Sequence, residues 1–160
     1  MTGFEQEENQ GCITSFEEEL ERSGSLVFTN KGVSMMPLLR QNRDLMVIEK
    51  KGAARCKKYD VILFKRGEKY VLHRILKVRE RDYYVAGDNC RKGESVKESQ
   101  ILGVLTQVVR DGKTVTTEDP AYRRYVHLWC DLYPVRMGLF FLRDGARHVV
   151  RRAKKLLKRN

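Results

Sequence analysis

The sequence contains no run of about 18 uncharged apolar residues, so it encodes no helix able to cross a bilayer. It also lacks the basic start and apolar stretch of a secretory signal: Glu5, Glu7 and Glu8 make its beginning acidic. With no leader and no N-terminal anchor, the chain is expected to work in the cytoplasm, either free or peripheral on the cytoplasmic face of a membrane. Cys12, Cys56, Cys90 and Cys130 lie far apart, and no C-x-x-C pair is present to seed a zinc site. A disulfide framework is not expected in a chain without an export signal, so these thiols read as free and structural. There is no internal repeat and no low-complexity tract.

What remains is a globular composition. The 160 residues are 41% hydrophobic and 33% charged, enough for one β-domain with an appendage. The net charge of +11 is unevenly spread: residues 1–30 carry −6, residues 31–120 carry +8 and residues 121–160 carry +9. A basic tail of this kind suits an anionic membrane surface or an acidic partner protein, or forms a solvated helix face. Nucleic acid is not an expected partner, because no basic–aromatic motif or zinc spacing accompanies the charge.

Three segments follow from local pattern. Residues 1–24 form an acidic segment with a short helix, where Thr14 or Ser15 caps the run from Phe16 to Leu20 and Ser23-Gly24-Ser25 ends it. Residues 25–118 carry short β-branched and aromatic runs at 26–29, 45–49, 61–65, 70–79, 83–86, 101–109 and 114–116. Turn chemistry separates them, most clearly at Asp111-Gly112, where both residues tolerate positive φ. The expected fold is mainly β, a compact coiled antiparallel sheet or partial barrel. Residues 119–160 read as helical: Asp119 and Pro120 open a first stretch with Tyr122, Tyr125, Val126, Trp129, Leu132 and Tyr133 at helical spacing. After Pro134 a basic amphipathic stretch puts Leu139, Leu142, Ala146, Val149, Val150, Ala153, Leu156 and Leu157 on one face.

Histidine is scarce, with three in the chain. His127 and His148 fall in the helical tail and read as ordinary helix residues. His73 stands within the strand-like Tyr70-Val71-Leu72-His73-Arg74-Ile75-Leu76, where a packed side chain and a general base are both open readings. Ser34 lies in Lys31-Gly32-Val33-Ser34-Met35-Met36-Pro37, a loop between two strands with a glycine before it and a proline after. A serine hydroxyl needs an adjacent base to attack, and a neutral imidazole suits that task near neutral pH. Asp88, at a strand end in Gly87-Asp88-Asn89, can orient such a ring or simply cap a turn.

Taken together these boxes resemble the signal peptidase I-like branch of the S24/S26 serine peptidases, which also includes the LexA-type self-cleaving repressors. The resemblance spans roughly residues 32–113. Gly32-Val33-Ser34-Met35-Met36-Pro37 is similar to the nucleophile box, and Lys58-Tyr59-Asp60-Val61-Ile62-Leu63-Phe64 to the strand that follows it. Leu72-His73-Arg74-Ile75 resembles the base segment, and Gly87-Asp88-Asn89 the Gly-Asp-Asn box. Histidine followed by arginine, rather than lysine, looks like the endoplasmic-reticulum-type variant. The resemblance implies a serine endopeptidase acting on an extended segment of a peptide or protein substrate. Ser34 would be its nucleophile, His73 its general base and Asp88 the orienting group. It further implies that the Ser34 backbone N–H contributes to the oxyanion hole and that Met35 and Met36 meet the substrate, with no metal or other cofactor. Gly32 departs from the pattern, standing where many signal peptidases carry a serine hydroxyl in the oxyanion hole. The competing reading is a peptidase-like module that binds peptides without cutting them.

Overall fold

The computed structural model of the chain describes residues 15–132 together with Val135, Gly138, Phe140, Phe141 and Gly145. It falls into two units, residues 1–124 and residues 125–160. Most of the basic amphipathic stretch expected after Pro134, including Leu139, Leu142 and Ala146, lies outside the described residues, as do Thr14 and the acidic start.

The first unit opens with helix α1 (Phe16–Ser23). Ser15 caps it through a reciprocal box with Glu18, and Gly24 closes it in the left-handed region at φ 74°. The helix is not a separate appendage. Its Phe16 ring stacks on Tyr70 at 4.7 Å and meets Phe28 at 5.0 Å, while Glu17 and Glu21 reach Lys65 and Lys50 on the strands below.

Eight strands follow: β1 (Ser25–Thr29), β2 (Leu45–Lys50), β3 (Val61–Arg66), β4 (Lys69–Val78), β5 (Asp82–Ala86), β6 (Glu94–Lys97), β7 (Ile101–Arg110) and β8 (Lys113–Thr116). They form one antiparallel, unclosed sheet in the order β1-β2-β7-β3-β4-β5-β6, with β8 paired to β7. Register shifts at Val47/Ile48, Leu63/Phe64 and Ile75/Lys77 bend the sheet, since an extra residue on one strand raises its local twist. The expected Asp-Gly hairpin joins β7 to β8, with Asp111 at φ 50° and Gly112 at φ 73°. Among the described residues, strand β6 and the short 3-10 turn at Glu98–Gln100 that follows it are elements that the sequence pattern does not suggest.

Inside the sheet, Ile62, Phe64, Val71, Ile75, Tyr83, Val85, Val96 and Ile101 form a buried cluster with Cys56. Burial pushes the Cys56 thiol up to about 11, which suits an inert structural cysteine. Gly103 on β7 permits the close approach of β2: a Cβ there would lie 2.5 Å from Ile48 Cγ2 and 2.6 Å from the Glu49 carbonyl oxygen. Helix α2 (Pro120–Asp131) begins where expected. The Asp119 carbonyl accepts the first helical N–H, from Arg123, whereas its carboxylate turns back to the Thr116 N–H.

Candidate active site

The Ser34 loop leaves β1 through Asn30, which is buried and makes a local turn. Its Oδ1 accepts from the Gly32 N–H at 2.9 Å and its Nδ2 donates to the Gly32 carbonyl at 2.6 Å. The far end of the loop is fixed by Asp44. That buried carboxylate accepts from the Arg40 N–H at 2.9 Å and from the side chains of Arg43 and Arg110, each at 2.7 Å. Burial opposes its ionisation, yet the hydrogen bonds from the two guanidinium groups hold it well below the usual carboxylate range. Arg110 also donates to the Leu38 carbonyl, tying the loop to β7.

Between these anchors the backbone folds into consecutive turns, with a cis Met36-Pro37 bond. Ser34 is half-buried. Met35 is enclosed in the core at 1% exposure, and the apolar side chains that the loop exposes are those of Val33, Met36 and Pro37.

The loop rests on residues 87–89. The Asn89 N–H donates to the Ser34 carbonyl at 2.7 Å, and Asn89 Nδ2 donates to the Val33 carbonyl at 3.1 Å. Gly87 is required for this contact, because a Cβ on it would stand 2.5 Å from the Ser34 carbonyl oxygen and 2.8 Å from Cys90 Sγ. The boxes that carry Ser34 and Asp88 are therefore in direct contact.

His73 sits mid-strand on β4, opposite Ile62 on β3, with its ring 6.0 Å from Phe64. It shares a sheet face with Ile75, and the register Ile75–Val85–Glu94 across β5 and β6 brings Glu94 to that same face. Glu94 Oε1 lies 3.2 Å from His73 Nδ1, at ion-pair distance but out of hydrogen-bond alignment. The same carboxylate accepts from Arg66 at 3.0 Å. Burial of the imidazole holds its pKa below the ordinary value. The Glu94 charge works against that shift and the Arg66 charge reinforces it. The ring is therefore neutral at pH 7, the form a general base needs.

Asp88 acts on the His73 ring through its charge and is held in place by the residue after that histidine. Both its oxygens are gripped by Arg74, the residue after His73, at 2.8 Å each. Arg74 is fully buried and donates also to the Tyr59 carbonyl at 2.9 Å and to Tyr122 Oη at 3.2 Å. This bidentate pair fixes the 87–89 turn to β4, so Asp88 orients the site through Arg74. The carboxylate at the ring of His73 belongs to Glu94. Glu94 is not legible as a partner of His73 in the sequence, because strand β6, which carries it, has no alternating apolar run.

No hydrogen bond joins Ser34 Oγ to His73. Catalytic contacts commonly tighten only when substrate arrives. Among the described residues no cluster of His, Cys, Asp and Glu is suited to a metal ion, and no helix is long and apolar enough to cross a membrane.

No family model, curated protein or solved structure matches the chain.

Proposed function

We propose that the chain is a serine endopeptidase of the signal peptidase I-like type, with Ser34 as nucleophile and His73 as general base. The observation that carries this reading is the buried His73 ring with the Glu94 carboxylate 3.2 Å from its Nδ1. It lies on the strand whose next residue clamps the turn that supports the Ser34 loop. A carboxylate beside the ring suits a base that becomes imidazolium during the reaction.

In this reading Ser34 Oγ attacks a peptide carbonyl as its proton passes to His73 Nε2. Glu94 stabilises the imidazolium, and the Ser34 N–H faces the developing oxyanion. His73 then gives the proton to the departing amine. Water, deprotonated by the same ring, hydrolyses the acyl-serine and returns the free hydroxyl. The substrate would be an extended segment, added to an exposed strand edge and read through alternate side chains by surfaces such as Val33 and Met36.

Labelling the purified chain with a fluorophosphonate and with a penem, followed by mass-spectrometric mapping, tests the proposal. An adduct at Ser34 that disappears in His73→Ala is the expected result. Folded protein that takes up neither reagent would favour the peptide-binding module, in keeping with the absence of a Ser34–His73 hydrogen bond.

A further inference from the structure

Arg66 ends β3 on the sheet face that carries His73, in alternation with Phe64 and with Ile62, which stands opposite the histidine. Its partner Glu94 is on β6, and strands β4 and β5 lie between the two in the sheet. Arg66 Nη1 spans that distance and donates to Glu94 Oε1 at 3.0 Å and to Oε2 at 3.3 Å. Glu94 Oε1 is also the atom 3.2 Å from His73 Nδ1. That nitrogen is buried and makes no hydrogen bond among the described residues. One carboxylate thus serves two cationic groups, bonded to the arginine and merely adjacent to the imidazole.

We infer that Arg66 is a positioning residue: by engaging both oxygens of Glu94 it holds that carboxylate beside His73 without a hydrogen bond, and so limits how readily the ring takes a proton. The inference rests on the peptidase reading only for its effect on rate, because the hold on the ring is measured without substrate. Three charged side chains act on the imidazole: Glu94 from β6, Asp88 from the turn after β5 and Arg66 from β3. The two carboxylates favour the protonated ring, and Arg66 opposes it. As a stabilising pair the bridge is worth little, since the Arg66 side chain is 50% exposed. Beside a ring that is itself 8% exposed, the same charges are poorly screened. A base kept from premature protonation stays usable in mildly acidic surroundings.

The test is an NMR titration of the histidine ring signals in the full chain, with His73 assigned by its loss in His73→Gln. In Arg66→Gln the His73 pKa should rise by about 0.5 pH unit or more, because the opposing charge is gone and Glu94 is free to accept from Nδ1–H. Arg66→Lys, which keeps the charge, should fall between the two. The melting temperature should stay close to that of the wild type, since an exposed pair is all that is lost. An unmoved or lowered His73 titration in Arg66→Gln overturns the inference and leaves the bridge as a surface ion pair. The rate of Ser34 labelling by a fluorophosphonate, followed across pH, separates the two readings. A raised titration without labelling at any pH removes the peptidase and leaves the hold of Arg66 on the ring. Labelling whose acid limb is the same in Arg66→Gln, with the titration also unmoved, removes Arg66 and leaves the peptidase.

Discussion

Gly87 and Ser34 meet backbone to backbone: a single methyl on Gly87 would sit 2.5 Å from the Ser34 carbonyl oxygen. No side-chain rotation relieves that overlap, so Gly87→Ala must push the nucleophile loop away. Overpacking of this kind costs about 1–3 kcal/mol. The expected outcome is a lower melting temperature together with loss of Ser34 labelling. Full labelling in Gly87→Ala would show that the clasp between the two boxes is dispensable.

Gly32 offers the opposite case. A Cβ there meets Asn30 Oδ1 at 3.5 Å and Ser34 Oγ at 4.0 Å, both ordinary contacts, and its φ is not positive. A hydroxyl added at this position lies on the nucleophile's side of the loop. Gly32→Ser is expected to change stability by no more than about 0.5 kcal/mol and to raise the acylation rate about tenfold, by adding a donor for the oxyanion. Probe kinetics on the two proteins decide it, and an unchanged rate would mean that the hydroxyl does not face the oxyanion.

His73 dictates the response to acid. Its folded pKa is below 6.5, so between the two values the unfolded chain holds a proton that the folded site does not. Its contribution to stability is therefore complete above 6.5 and declines as the pH falls below it. The acid limb of kcat/KM should likewise lie below 6.5. Glu94→Gln removes the charge that raises the ring's pKa, so the limb should move to still lower pH while the plateau rate drops. A limb that stays in place would show that Glu94 does not sense the ring.

Asp88→Asn leaves the fully buried Arg74 guanidinium without its counter-charge. Breaking a buried pair from one side costs about 3–5 kcal/mol, far more than the intact pair contributes over an apolar replacement. Chemical denaturation should reveal a loss of that order, and a loss under about 1 kcal/mol would mean that water reaches the pair.

The second unit shows an apolar side of its own. Leu128 and Leu132, one helical turn apart, are 64% and 48% exposed, and Tyr125 stacks on Trp129 at 5.9 Å. Residues 121–160 carry a charge of +9, so binding to an anionic bilayer is the expectation to test. The full chain should co-sediment with vesicles that contain phosphatidylserine, and Leu128→Glu with Leu132→Glu should release it. Retention of the double variant would point to charge alone.

Much of the fold is legible because the strands obey simple rules: β-branched runs, turn residues with positive φ, and a Ser-x-x-Glu helix start. Strand β6 escapes because Glu94-Ser95-Val96-Lys97 offers one buried apolar side chain, Val96, and owes its extended form to pairing with β5. The site divides in the same way. Ser34 and His73 stand in recognisable boxes, and Asp88 is visible as a turn aspartate. That Arg74 grips Asp88 and that Glu94 lies beside His73 follow from cross-strand register, which no local pattern encodes. The burial of Met35 beside an exposed Met36 is equally a matter of how one loop turns.

Strand β7 lies between β2 and β3, although the chain makes β3 through β6 first. The segment bearing Ser34 therefore belongs to the β1–β2 arm, the segment bearing His73 to the β3–β6 meander, and a later strand stitches the two. On the ribosome the arm and the meander emerge as separate pieces, and strand β7 joins them in one sheet only after Arg110 has left the exit tunnel. A nascent chain of this protein thus holds the Ser34 and His73 segments on separate pieces until the step that completes the sheet.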